Sequence, residues 1–248
     1  MEAVIAGERL RATQGEHARA AGAAAQRRRI ARTAGALFIV GDVAGILSYA
    51  VTAGLLDGPD ALGKVAASQS HLALGALLVL AMGLALAMIP VVLYPILRKY
   101  DEVLALGTVV FRGAIEAVAY MATASVWLAL VVLARDHAAV AAAGAPHVQT
   151  LTGLLVTVQG SVATWLTAIV FSIGSLLFYF LFYRSRLVPR WLSVWGIAGA
   201  VLYLATPLTE MFGHGMGFLM APLAVAEIVF AVWLIVKGLA APGPEEAA

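Results

Sequence analysis

The sequence predicts an all-α integral membrane bundle of six transmembrane helices, and three observations carry that expectation. Hydrophobic residues make up 62% of the 248 positions and charged residues only 12%, with a mean hydropathy of +0.93; a soluble domain carries about 25% charged residues. Six segments, at 34–56, 70–97, 103–133, 151–183, 188–208 and 217–238, are apolar enough for a spanning helix and meet its length, ~20 residues for ~30 Å of hydrocarbon. Basic residues gather in alternate connections between these segments, the pattern that fixes orientation in helical membrane proteins.

Residues 1–32 precede the first segment as an Ala-rich, charged extension ending in QRRRIAR, with Arg27, Arg28, Arg29 and Arg32. This stretch is too polar to enter lipid and too short to build its own core. It is expected outside the bilayer, partly as a surface helix, its arginines serving as a topology signal or an anchor for anionic lipid. Residues 33–240 then form the six-helix domain, and the tail at 241–248, APGPEEAA, is expected to be disordered.

Within the domain, Gly41 and Gly45 of GDVAG give segment one a small-xxx-small face for close helix approach. Pro90 and Pro95 in segment two, Pro207 in segment five and Pro222 in segment six mark kinks or ends. Segment four is longer than a span requires, and its first part, TGLLVTVQGSVATW, is the more polar. Both a strongly tilted helix and a surface helix leading into a shorter span fit it. Tyr183, Trp191 and Trp195 stand where amphipathic rings favour the membrane interface. Six spans put both termini on one side. The leader, Arg98 and Lys99, the YRSRLVPR turn with Arg184, Arg186 and Arg190, and Lys237 share one face, against Lys64 and Arg135 opposite. Both termini are therefore expected in the cytoplasm.

Four ionisable residues lie inside the segments: Asp42 in the first, Arg112 and Glu116 in the third and Glu227 in the sixth. At ~1.5 Å per residue they occupy a common band roughly 12–20 Å deep. A charge at the bilayer centre costs at least about 2.5–3.5 kcal/mol, so these residues are expected to turn inward and meet. Arg112 and Glu116 share a helix face that continues through Tyr120, Thr123 and Trp127, and Tyr49 continues the face of Asp42 and Gly45. The expected site is a cavity with Asp42, Arg112, Glu116 and Glu227 as its chemical groups and Tyr49, Tyr120, Thr123 and Trp127 as its substrate-binding wall. Three acids face one arginine, so at least one carboxyl is expected to keep its proton, as proton transfer requires. The rival reading is an ion network that only holds three helices in register.

The stretches FRGAIEAVAY, YRSRLVPRWLSVWGIAGAVLYL and AEIVFAVWLIVKG resemble the bacterial membrane-protein family catalogued as domain of unknown function 4386, over most of residues 28–240. The resemblance implies the six-helix layout and draws Arg112, Glu116 and Glu227 into view, and it names no reaction. It also implies a bacterial cell membrane as the location.

Elsewhere the sequence is less specific. Cysteine is absent, which excludes disulfides, thiolate metal sites and cysteine nucleophiles. His71, His137, His147 and His214 fall at the outer face, and Glu210 stands four residues before His214, a weak candidate metal set made of His71, Glu210 and His214; the expectation is no metal and no cofactor. The GHGMG run follows no strand and reads as the break before segment six rather than a phosphate loop. Three functions fit. The first is an acid–base enzyme on a hydrophobic isoprenoid or lipid, terpene-cyclase-like by analogy. The second is a proton-coupled transporter or channel, and the third a non-catalytic subunit or sensor. Membrane lipid and a hydrophobic small molecule are the expected partners, nucleic acid is not, and a homo-oligomer is compatible with the sequence.

Overall fold

The computed structural model describes residues 2–58, 60–135 and 146–240, all-helical among these residues and without a strand. The helices are α1 (Glu2–Thr52), α2 (Ala61–Ala67), α3 (Gln69–Leu97), α4 (Glu102–Thr108), α5 (Glu116–Arg135), α6 (Pro146–Thr157), α7 (Thr164–Ser185), α8 (Arg190–Met211) and α9 (Ala221–Val236). Two π-helical segments, Val109–Ile115 and Val158–Ala163, join α4 to α5 and α6 to α7 without a break. Six spans result, each long and apolar enough to cross a membrane: His17–Thr52, Gln69–Leu97, Glu102–Arg135, Thr150–Ser185, Arg190–Met211 and Gly217–Val236. The chain is a multi-pass membrane protein.

One element differs from the sequence expectation, and another takes one of the two forms that expectation left open. The boundary drawn at residue 32 is not a structural one, because α1 runs unbroken for 51 residues through the leader and span one. Alanine is the strongest helix former and the leader holds no proline, so nothing ends the helix there. Span four is likewise one continuous helix of 36 residues rather than a surface helix and a short span. Its polar half absorbs the change through the π segment, in which the hydrogen-bond register widens without a turn. The tail at 241–248 lies outside the described residues.

Each span packs against its neighbours in sequence, and span one against span six, so the ring closes on itself. Small residues set the close approaches. A Cβ on Gly41 would meet the Leu86 side chain at 2.7 Å, and one on Gly45 would meet the Met82 sulfur at 2.7 Å, which is the packing role expected of GDVAG. Pro90, Pro95 and Pro207 lie inside their helices, Pro222 in the first turn of α9, and Gly213 (φ +84°) turns the chain before span six. The larger core cluster fills the half of the ring toward the basic turns with Phe38, Phe178, Tyr179, Phe182 and Phe230, all buried. A smaller one, around Leu72, Val79, Trp127 and Leu130, ties spans two and three at the other end. The basic turns meet at one end: Arg27 donates to the Ala240 carbonyl at 3.0 Å, the Ala240 N–H donates to Leu187 at 2.9 Å, and Arg184 pairs with Asp101 at 2.8 Å.

Candidate functional site

Arg112 stands at the centre of the ring, fully buried, on the π segment of span three. One guanidinium nitrogen donates to Glu227 Oε1 from span six and the other to Ser175 Oγ from span four. Three rings box it in: Phe171 at 4.9 Å, Phe178 at 5.4 Å and Phe38 at 5.5 Å from the guanidinium carbon to the ring centre. A cation without its water shell gains most from such faces. Backbone approach makes this possible, since a Cβ on Gly174 would sit 2.9 Å from the Arg112 nitrogen.

Glu116, one helical turn on, is buried and receives the Tyr120 hydroxyl at Oε1 (3.2 Å). Its Oε2 is buried and has no hydrogen-bond partner among the described residues. Asp42 is half-buried, also with one oxygen buried and unpartnered, within electrostatic range of Glu227 and Arg112. The Tyr179 hydroxyl is buried without a hydrogen-bond partner among the described residues and lies within electrostatic range of Glu227, Arg112 and Asp42. The four intramembrane charges thus meet in one cluster, as their shared depth predicts. Arg112 and Glu227 form its neutral centre, and Glu116 and Asp42 are the two acids left over.

Beyond Glu116, away from the basic end, a cavity of about 260 Å³ opens between spans two to five and the start of span six. Tyr120 and Thr123 line it as expected, together with Phe171, Tyr203, Gln159 and Thr167. Phe171 and Tyr203 pack as tilted rings with centres 4.9 Å apart, so the ring that covers Arg112 also floors the cavity. Tyr49 and Trp127 do not belong to it. The buried stripe of span one runs through Ala34, Phe38, Ala44 and Ser48, which turns Tyr49 outward and leaves it 78% exposed. Trp127 is buried against span two in the second core cluster, beside Gly75. The walls missed by sequence reasoning, Phe171, Tyr203, Gln159 and Thr167, come from spans four and five; the polarity of TGLLVTVQGSVATW was the available signal for the first of these spans.

The weak metal set does not assemble. Span five ends at Met211, so Glu210 and His214 are not on one helical face, and Glu210 accepts the Trp165 indole N–H at 3.1 Å. His71 is exposed at the start of span two, and among the described residues no three His, Cys, Asp or Glu side chains converge. His137 and the side chain of His147 lie outside the described residues.

A family model described as Domain of unknown function (DUF4386) matches residues 33–238. The chain belongs to that family. The match takes in all of Asp42, Arg112, Glu116, Ser175 and Glu227, so the whole charged centre of this DUF4386 member falls inside it, and the leader part of α1 falls outside. Comparison with curated proteins and with solved structures finds no match.

Proposed function

We propose that this chain is a membrane-embedded acid–base enzyme acting on a hydrophobic molecule, an isoprenoid or similar lipid, held in the cavity above Glu116. The observation that carries the reading is Tyr120, a residue that lines the cavity while its hydroxyl bonds the buried carboxyl of Glu116. A proton on Glu116 has a two-step route to a bound alkene once the Tyr120 hydroxyl rotates its own proton from Glu116 toward the substrate: Glu116 then donates to the Tyr120 oxygen as that hydroxyl gives its proton to the substrate carbon. The π bond supplies the electron pair for the new C–H bond, leaving a carbocation on the neighbouring carbon. The faces of Phe171, Tyr203 and Tyr120 and the unbalanced charge of the acids favour that cation. Return of a proton to Tyr120 and Glu116 closes the cycle as an isomerisation or cyclisation, with no net acid consumed. Arg112 and Glu227 position Glu116, and Asp42, which does not line the cavity, takes the role of a proton reserve behind Tyr179.

Size narrows the substrate. A cavity of about 260 Å³ lies just under the range of ~300–1,000 Å³ usual for drug-sized ligands, which favours a short isoprenoid over a long one. Native mass spectrometry of the purified protein, followed by turnover assays with short isoprenoids, tests the reading. The wild type is expected to carry and convert a hydrophobic ligand. Tyr120→Phe and Glu116→Gln are expected to keep the ligand but lose at least about a hundredfold in rate, the usual contribution of a general acid. Unchanged turnover in Glu116→Gln sinks the proposal, and an empty wild type that supports pH-gradient-driven flux in proteoliposomes replaces it with the transporter reading.

The same proposal sets the basic end in the cytoplasm of a bacterial inner membrane, on the support of the clustered arginines and lysines.

A further inference from the structure

At the basic end Arg27 holds the Ala240 carbonyl, Arg184 pairs with Asp101, and Arg98 lies 5.9 Å from the centre of the Tyr94 ring. Arg186, Arg190 and Lys237 share a different setting. None has a carboxylate partner among the described residues, and all three line one groove of about 460 Å³ between the 186–190 turn and the end of span six. Trp233 forms a wall of that groove.

Two further observations make it more than a basic loop. Arg186 caps span four in the left-handed region (φ 53°), the only non-glycine residue with positive φ among the described residues. Glycine occupies that cap position without steric cost and is its usual resident. An arginine there places a side chain where the backbone favours none, and the residue lines the groove. The groove also sits at the level of an aromatic belt. Arg190 lies 5.2 Å from the Tyr183 ring centre, Trp191 packs edge-on to Trp233 at 6.3 Å, and Trp191 itself is half exposed. Val194, three residues deeper than Trp191, is exposed and apolar.

We propose that this groove binds the phosphate of an anionic phospholipid, with Arg186, Arg190 and Lys237 around the headgroup and an acyl chain along the exposed face of Trp191 and Val194. A soluble anion has no use for that apolar track, which is why the lipid is the occupant. The site is independent of the cavity chemistry and of which side of the membrane the basic end occupies.

The test is native mass spectrometry of the full chain released from nanodiscs of phosphatidylcholine doped with phosphatidylglycerol. The wild type is expected to retain phosphatidylglycerol in preference. Each cation removed in Arg186→Gln, Arg190→Gln and Lys237→Gln is expected to weaken retention about fivefold. Arg186→Gly is the decisive variant, because it relaxes the backbone while removing the charge: it is expected to fold at least as well as the wild type and still hold the lipid about fivefold more weakly. Equal retention of the two lipids, full retention by the triple variant, or an equal loss in Arg135→Gln at the other end overturns the proposal. Displacement of the lipid by inorganic phosphate at matched concentration does so too, by making the groove a site for soluble anions.

Discussion

The ion pair of Arg112 and Glu227 decides whether the centre of the ring is a structural or a chemical device, and the two residues answer differently from Glu116. Removing one member of a buried pair strands the other charge, at a cost of about 3–5 kcal/mol, whereas exchanging both for apolar groups of similar size is often neutral. Glu227→Met alone is therefore expected to lower the thermal midpoint in detergent by roughly 6–20 °C, and Arg112→Met with Glu227→Met to recover most of it. A double variant less stable than either single one contradicts the view of this pair as self-contained. Glu116 has no such partner to lose: its variants are expected to act on rate before stability, since the Tyr120 bond contributes only about 1 kcal/mol. The existence of the cluster was legible in the sequence, because the price of burying charge forces residues of equal depth together. Its pairing was not, because i,i+4 spacing offered Arg112 the acid on its own helix while the fold gave it Glu227 from another.

At the scale of elements, glycines and π segments set what composition leaves open. Gly174 lets span four touch the backbone of Arg112, with a new Cβ 2.9–3.1 Å from its N, Cβ and Cα atoms. Backbone cannot yield as a side-chain tip can, so Gly174→Ala is expected to cost about 1–3 kcal/mol and to draw Ser175 and Phe178 off the guanidinium. Gly153, in the same span, has nothing within 4 Å, and Gly153→Ala is expected to stabilise the helix by about 0.5–1 kcal/mol. Parallel melting curves of the two variants, moving in opposite directions, check both. The spans themselves were legible, since apolar length is a property of composition. The π segments were not: a widened hydrogen-bond register leaves no mark in hydropathy, yet it turns the helix under Arg112 and again beside Gln159. Tyr49 was misread for a related reason. It lies on one face with Asp42 and Gly45, but that face is the edge of the buried stripe of span one rather than its middle.

For the molecule as a whole, closure of the ring between spans one and six brings the start of span one and the segment after span six to the basic pole, where Arg27 and Ala240 are bonded. Reporter fusions at the two termini are expected to report the same compartment, and that compartment to be the cytoplasm; opposite signals rule out an even number of crossings, and two external signals reverse the inferred orientation. The groove and the cavity lie toward opposite poles of the bundle, so a variant in one is expected to leave binding at the other unchanged.

The distance in sequence between the two halves of the central pair has a consequence in time. Arg112 and Glu227 are 115 residues apart, and at ~5–20 residues per second a ribosome needs roughly 6–23 s to travel from one to the other. Span three has to leave the translocon long before its final partner exists. The acid that enters lipid on the same helix as the guanidinium is Glu116, four residues behind it. The acid that is surplus in the finished protein is thus placed to be a first counter-charge of the growing one, before span six arrives.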